Sequence, residues 1–184
     1  MSHFCIMKKN TCLFILMVSL AACGPTLQVS YDQDKSIKIS NYKTFGWLDV
    51  KGIEGKNTDP RYYNELTDKR IKIAVDREMT AKGFSTMHTG AQLEMHYHII
   101  VENKTGIISE PTNLINGDYW IKKQASTYQY REGTLIIDIM DVKTNQLVWR
   151  GSGTDVITVE ITKDPEVAIN KTVKEILKKF PNRS

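Results

Sequence analysis

The side chain with the most definite chemistry in this sequence is the thiol of Cys23. It ends Leu20-Ala21-Ala22-Cys23, in which small residues precede the cysteine as they do in a lipobox. There the thiol is the group that accepts a diacylglyceryl unit as a thioether, and cleavage before it frees an amino group for a further acyl chain such as palmitate. Upstream, Lys8 and Lys9 form a short positive segment and residues 12–20 an uncharged apolar one, the order of a secretory signal. The apolar stretch is about half of the ~20 residues that a membrane-spanning helix needs, so residues 1–22 read as a signal peptide that is removed. Met7, directly before the two lysines, is a more natural start than Met1. The competing reading is an ordinary signal peptide cut after Ala22, with Cys23 incidental. One acyl chain attaches a protein marginally, whereas two or three hold it durably. In a Gram-negative cell Gly24, not Asp, after the cysteine predicts an outer-membrane lipoprotein facing the periplasm.

Other reactive residue types are present without a reactive arrangement. His96 and His98, two apart in an alternating segment, share a face and could begin a zinc or copper site, but no third ligand is placed by the sequence. A solvated polar face explains the pair equally well, so no metal and no other cofactor is predicted. Asp138 lies between Ile137 and Ile139, on the face opposite Leu135, Ile137 and Ile139. A buried carboxylate there would be a catalytic candidate, and an ion pair with Arg131 or Arg150, or plain exposure, is the simpler alternative. There is no Gly-x-Ser-x-Gly elbow and no phosphate-cradling glycine loop. Gly151-Ser152-Gly153 reads as a bend or bulge in a strand. No catalytic residue is predicted, and the protein is read as a non-enzyme.

Those groups need a scaffold, and composition bounds it. Removing 22 of the 184 residues leaves 162, enough for one domain that buries roughly 70% of its unfolded surface. Cys5 and Cys12 leave with the signal, so no disulfide remains available. Lys8 and Lys9 leave too, so 23 of the 25 basic residues face 21 acidic ones. A formal charge of +2 does not suit a nucleic-acid partner. Residues 23–28 are the acylated cysteine and a short tether, and residues 29–184 a single domain.

Residues 27–31 alternate apolar and polar as a strand, and residues 44–48 form a second. Asp59-Pro60 predicts a helix start, and the apolar spacing of Tyr63, Leu66, Ile71, Ala74, Val75 and Met79 continues it to a stop at Gly83. Residues 93–102 alternate strictly. Residues 103–123 show no clear period and read as a long loop. Residues 126–141 are again β-rich, with a bulge or bend at Glu132-Gly133. A hairpin at residues 143–146, with Asn145 at positive φ, leads into a strand reaching about Ile161. Asp164-Pro165-Glu166 starts a second helix, stopped by Pro181. The order β-β-α-β-β-β-α predicts an α+β fold: an antiparallel or mixed sheet of about five to six strands with two helices packed on one face. Trp47 and Trp149 are the predicted core anchors.

Several of these segments resemble the bacterial lipoproteins grouped as domain of unknown function 4136. Val29-Ser30-Tyr31-Asp32 followed by Tyr42-Lys43-Thr44-Phe45-Gly46-Trp47 is similar to that family's opening, and Ala81-Lys82-Gly83-Phe84 to its helix end. Most specific is Tyr130 through Asp138, continued by Asp141, Asn145, Leu147, Val148, Trp149, Arg150 and Gly151; Ile176 through Pro181 also fits. The resemblance implies an envelope lipoprotein with a compact α+β domain and carries over no catalytic residue.

The 103–123 segment is the feature a bland domain does not require, because loops beyond about 15 residues are commonly functional or disordered. Its Ile107, Ile108, Leu114, Ile115, Tyr119 and Trp120 are the candidate partner-binding residues, Tyr and Trp being common interface anchors. The alternative is that the segment folds back on the core. The leading functional expectation is a non-enzymatic envelope lipoprotein, attached to the membrane through Cys23, with a structural or protein-binding role. The second is a binding module for a small amphiphile or lipid between sheet and helices, and the third a hydrolase.

Overall fold

Alternation along four long or edge segments builds one sheet. The computed structural model describes residues 27–47, 59–111 and 123–183. Strands β1 (Gln28–Gln33), β2 (Thr44–Trp47), β3 (Ser85–Thr86), β4 (Leu93–Pro111), β5 (Lys123–Asp141) and β6 (Gln146–Val156) form a six-stranded sheet in the order β1-β6-β5-β4-β2-β3. The β1, β6, β5 and β4 neighbours are antiparallel, while β2 runs parallel to both β4 and β3. Two long helices, α1 (Glu65–Ala81) and α3 (Pro165–Leu177), with the short α2 (Val159–Lys163) before α3, complete the α+β fold.

The strand period of two puts Leu93, Met95 and Tyr97 of β4 beside Ile139 and Ile137 of β5 on one buried face. Onto it pack Ile71, Ala74, Val75 and Met79 of α1 and Val173, Ile176 and Leu177 of α3. Each of these side chains larger than Ala74 contributes about 1.5–3 kcal/mol by leaving water. The opposite face carries Asp32, Arg150, Asp138 and His96 in one cross-strand row.

Helix ends follow local chemistry. The C-terminus of α1 closes with Gly83 at φ 91°: Phe84 N–H donates to the Met79 carbonyl and Gly83 N–H to that of Thr80. Both Phe84 and Met79 are buried, the apolar contact that accompanies this cap. Asp164 caps α3 through Val167 N–H, with Pro165 at its first position. Asn145 takes φ 55° in the hairpin between β5 and β6, as its position predicts.

Five features differ from the sequence-based expectations. First, α1 starts at Glu65, not at Asp59-Pro60. The Asp59 carbonyl accepts from Tyr62 and Tyr63 N–H in a separate turn, and Asn64, whose side chain accepts from Thr67 N–H at 3.0 Å, is the true cap. Second, Glu132-Gly133 is in register with its neighbours; the irregularity lies between Ile139 and Met140, where Val148 is an extra residue of β6 whose carbonyl is taken up by Asp34 N–H. Gly151 and Gly153 are likewise in register, not a bend. Third, β6 ends at Val156: Ile157 N–H still donates to the Arg131 carbonyl at 2.8 Å, and the chain then leaves β5, with Thr158 capping α2. Fourth, residues 103–111 are strand. They pair with residues 123–131 as a two-stranded ribbon reaching beyond the end of β6, and aromatic packing supports it: the Tyr128 ring fills the space a side chain at Gly106 would occupy, and stacks on Tyr130. Fifth, Trp149 is fully buried but Trp47, near the sheet edge, is only half-buried and donates its indole N–H to Asp76 at 2.9 Å.

Candidate functional site

The helix-covered face is not filled along its whole length. A cavity of about 520 Å³ lies between the sheet and the helices at the end nearer the ribbon. Its apolar walls include Ile99 and Leu135 from the sheet, Ile71 from α1, Ile157 and Ile161 at α2, and Ile169 from α3. The register places two glycines on its floor. Gly133 of β5 and Gly153 of β6 both point their missing side chains toward the helices, beside Ile157 and Thr172 respectively. A Cβ at either would press on those side chains, at 3.3 Å over Gly133 and 2.9 Å over Gly153, so the glycines let the cover of the floor come close. Between Val156 and Pro165 the chain also turns into the short α2 instead of laying a full helix across that floor.

The exposed lining residues Arg61, Asn64, Leu66 and Thr162 mark where the cavity meets solvent, and Thr67, Ile71, Leu135 and Gly153 lie buried at its depth. One end is polar. Arg61, Tyr62 and Arg131 line both this cavity and a smaller one of about 120 Å³, which adds Asp59, Tyr63 and Asn103. The two guanidinium carbons lie 5.7 Å (Arg61) and 5.6 Å (Arg131) from the centre of the Tyr62 ring. Arg61 donates from Nε to both carboxylate oxygens of Asp59, at 3.0 and 2.9 Å, and these bonds hold the Asp59 carboxyl at about 2, below the usual range. Arg70 faces Glu166 at 3.7 Å. Arg131 forms no ion pair among the described residues. A concave apolar chamber with a few polar groups at one end is the arrangement that binds a small molecule.

Of the residues singled out from the sequence, Cys23, Leu114, Ile115, Tyr119 and Trp120 lie outside the described residues. Ile107 and Ile108 sit on the β4 arm of the ribbon, 71% and 44% exposed. His96 and His98 share the open face of β4, as their spacing requires, but each turns to a carboxylate: His96 to Glu94 at 3.3 Å, His98 to Asp138 at 3.7 Å. No group of three metal-ligating side chains occurs among the described residues. Asp138 is 5% exposed and gripped by Arg150, whose Nε and Nη2 each donate at 2.6 Å to its two oxygens. Of the two bases the sequence offered, Arg150 is its partner. Arg131 faces the other side of the sheet, at the cavity.

Spacing in the sequence predicts none of the lining residues. The signal that marks the cavity is a pair of glycines, Gly133 and Gly153, at inward positions of otherwise apolar strands, where the sequence alone reads as a bulge or bend. Among the described residues no helix is long and apolar enough to cross a membrane.

Solved structures share this fold at low identity. A PDZ domain protein from Parabacteroides distasonis matches with a TM-score of 0.56 and 14% identity, over 83% of this chain and 35% of that one, so the chain spans about a third of its length. A PelC dodecamer from Paraburkholderia phytofirmans matches with a TM-score of 0.50 and 8% identity, over 86% of this chain and 100% of that one. A DUF4136 family protein from Bacteroides thetaiotaomicron matches with a TM-score of 0.51 and 18% identity, over 86% and 97%. At such identities the likeness is one of fold alone. Among curated proteins no relative matches the chain. The model of the family described as Domain of unknown function (DUF4136) matches residues 29–182, and the chain belongs to that family.

Proposed function

We propose that this protein is a non-enzymatic binding module of the cell envelope, which takes a small amphiphile or lipid between its sheet and its helices. The observation that carries the reading is the apolar cavity of about 520 Å³ with its cationic and aromatic end. A chamber of this size falls within the range that encloses one small ligand. Its described lining holds no His, Cys or Ser, and its one carboxylate, Asp155, accepts from its neighbour's N–H and from no described lining hydroxyl, which speaks against a nucleophile–base pair there. Lipidation of Cys23 would keep the module at the membrane, facing the periplasm from the outer membrane, where amphiphiles are abundant.

Val101→Trp tests the reading, because Val101 is a half-buried β4 residue shared by both cavities. Lipid extracted from the purified native protein should contain a stoichiometric amphiphile that the Val101→Trp protein lacks. Absence of any such molecule from a wild-type protein that remains receptive to none overturns the reading. The anchor is tested separately: the intact mass of the native protein should begin at Cys23 and include acyl chains, and an unmodified mass removes that part.

A second reading, docking of an envelope protein, is favoured by the exposed Ile107 and Ile108 on the projecting ribbon. A photo-crosslinker at Ile107 in living cells should then capture one recurrent neighbour, and random capture argues against it.

A further inference from the structure

We infer that the amphiphile is a single-chain lipid with an acidic head, its carboxylate or phosphate held by Arg131 and its chain running under α2 and α3. This rests on the cavity being the binding site, and adds what the site selects.

The cavity has a direction. Leu135, Ile161 and Ile169 make one end apolar, whereas Arg61, Tyr62 and Arg131 stand where it meets the smaller, more polar chamber, with Ile157 directly across from Arg131, to whose carbonyl its N–H donates at 2.8 Å. A molecule buried here must therefore present hydrocarbon to the first end and a polar group to the second. Three cations line the large cavity, and they are not equivalent. Arg61 has a two-oxygen grip on Asp59, Arg70 faces Glu166, and Arg131 acts on Asp59 through its charge alone, with no hydrogen bond between them. Arg131 projects from β5 on the helix side of the sheet, and its half-buried guanidinium lies against the Tyr62 ring. Packing against an aromatic ring orients a guanidinium and leaves its edge free to donate. That planar fork matches a carboxylate or phosphate through two parallel hydrogen bonds. Asp155 is the acidic side chain of the large cavity, and its carboxylate accepts from Val156 N–H at 2.8 Å, which fixes it to its own backbone. A cavity of about 520 Å³ lies in the range that takes one small ligand, which favours one acyl chain over two.

The test uses the full chain reconstituted in lipid nanodiscs, with photoactivatable palmitic acid, the matching monoalkyl phosphate and the methyl ester of the acid as probes. Peptide mapping after irradiation reads labelling of the cavity strands and α2. We expect the acid or the phosphate to label these segments at least about tenfold more than the uncharged ester, the scale of a charge-assisted hydrogen bond. The stronger of the two acidic probes identifies the head group. Arg131→Gln should bring that probe down to the level of the ester, and Arg131→Lys should restore part of the difference. Equal labelling by acid, phosphate and ester overturns the acidic head while leaving the cavity as a binding site. No labelling of the cavity by any probe overturns the site as well. The comparison of probes on the wild-type protein decides the matter even if a variant fails to fold.

Discussion

The two ends of the helix-covered face are built from the same parts and finish differently. Both have glycines at inward positions of β6, Gly151 at one end and Gly153 toward the other. At the Gly151 end the missing side chain is replaced from the same strand: the ring of Trp149 lies where a Cβ of Gly151 would sit, 2.2 Å from it, and Ile176 of α3 lies 2.7 Å away. Phe180 meets Trp149 edge-on at 5.3 Å and Phe84 at 5.5 Å, so three aromatic residues close the layer. Toward the cavity end, a Cβ on Gly153 would meet Thr172 at 2.9 Å and Ile176 at 3.2 Å, and one on Gly133 of the next strand would meet Ile157 at 3.3 Å, so aliphatic side chains and not a ring lie over them. A glycine in a sheet interior is thus not one device. At Gly151 it makes room for the Trp149 ring; at Gly153 it lets Thr172 and Ile176 of α3 come close to the sheet beside the cavity. The packed end has its own cost, since the Trp149 indole N–H is buried with no hydrogen-bond partner among the described residues.

The contrast can be broken most severely at Trp149. Trp149→Ala should lower stability by roughly 3–5 kcal/mol, read as a denaturant midpoint, because its place cannot collapse around Gly151. A midpoint near wild type would mean that the two ends are equally loose. Gly151→Ala attacks the same contact from below: a methyl group at 2.2 Å from the Trp149 ring should cost about 1–3 kcal/mol.

Titration separates the ends without mutation. At the packed side, burial and the bond that Tyr42 donates to Asp141 at 2.6 Å push the Tyr42 phenol from 10.0 up to about 12. A value raised on folding contributes stability that is complete below 10.0 and disappears as pH rises through about 12. Asp59 at the cavity end is lowered from 3.8 to about 2 by its bonds from Arg61, so its contribution is complete above 3.8 and disappears as pH falls through about 2. An ultraviolet phenolate titration of wild type against Tyr42→Phe should show one tyrosine ionising near 12. Equal titration of all tyrosines near 10.0 would refute the assignment.

The smallest effect sharpens the comparison from the other side. Ala168, half-buried on α3, faces the cavity, and Ala168→Leu adds methylenes to open volume. Its midpoint should stay within about 0.5 kcal/mol of wild type while amphiphile binding weakens. A loss matching that of Gly151→Ala would show the chamber to be tightly closed.

Much of this architecture was legible from spacing alone. Strict alternation over residues 93–102 predicts β4, Gly83 followed by Phe84 predicts the end of α1, Asp164-Pro165 predicts the start of α3 and Asn145 predicts the hairpin. Each rests on interactions within a few residues, where backbone sterics and local hydrogen bonds act, so the amino-acid order is sufficient. The same locality explains the α+β class and the one-sided burial, since periodicity is a property of single segments. What depended on tertiary structure involves partners far apart in the chain. Residues 103–111 have no period of their own and become strand because residues 123–131 lie opposite. Asp138 could meet Arg131 or Arg150 until the register put Arg150 directly across from it. Whether an inward glycine is covered depends on which helix crosses it and how closely, which no strand pattern encodes. The cavity is therefore a product of packing: a space defined by what α1, α2 and α3 fail to reach.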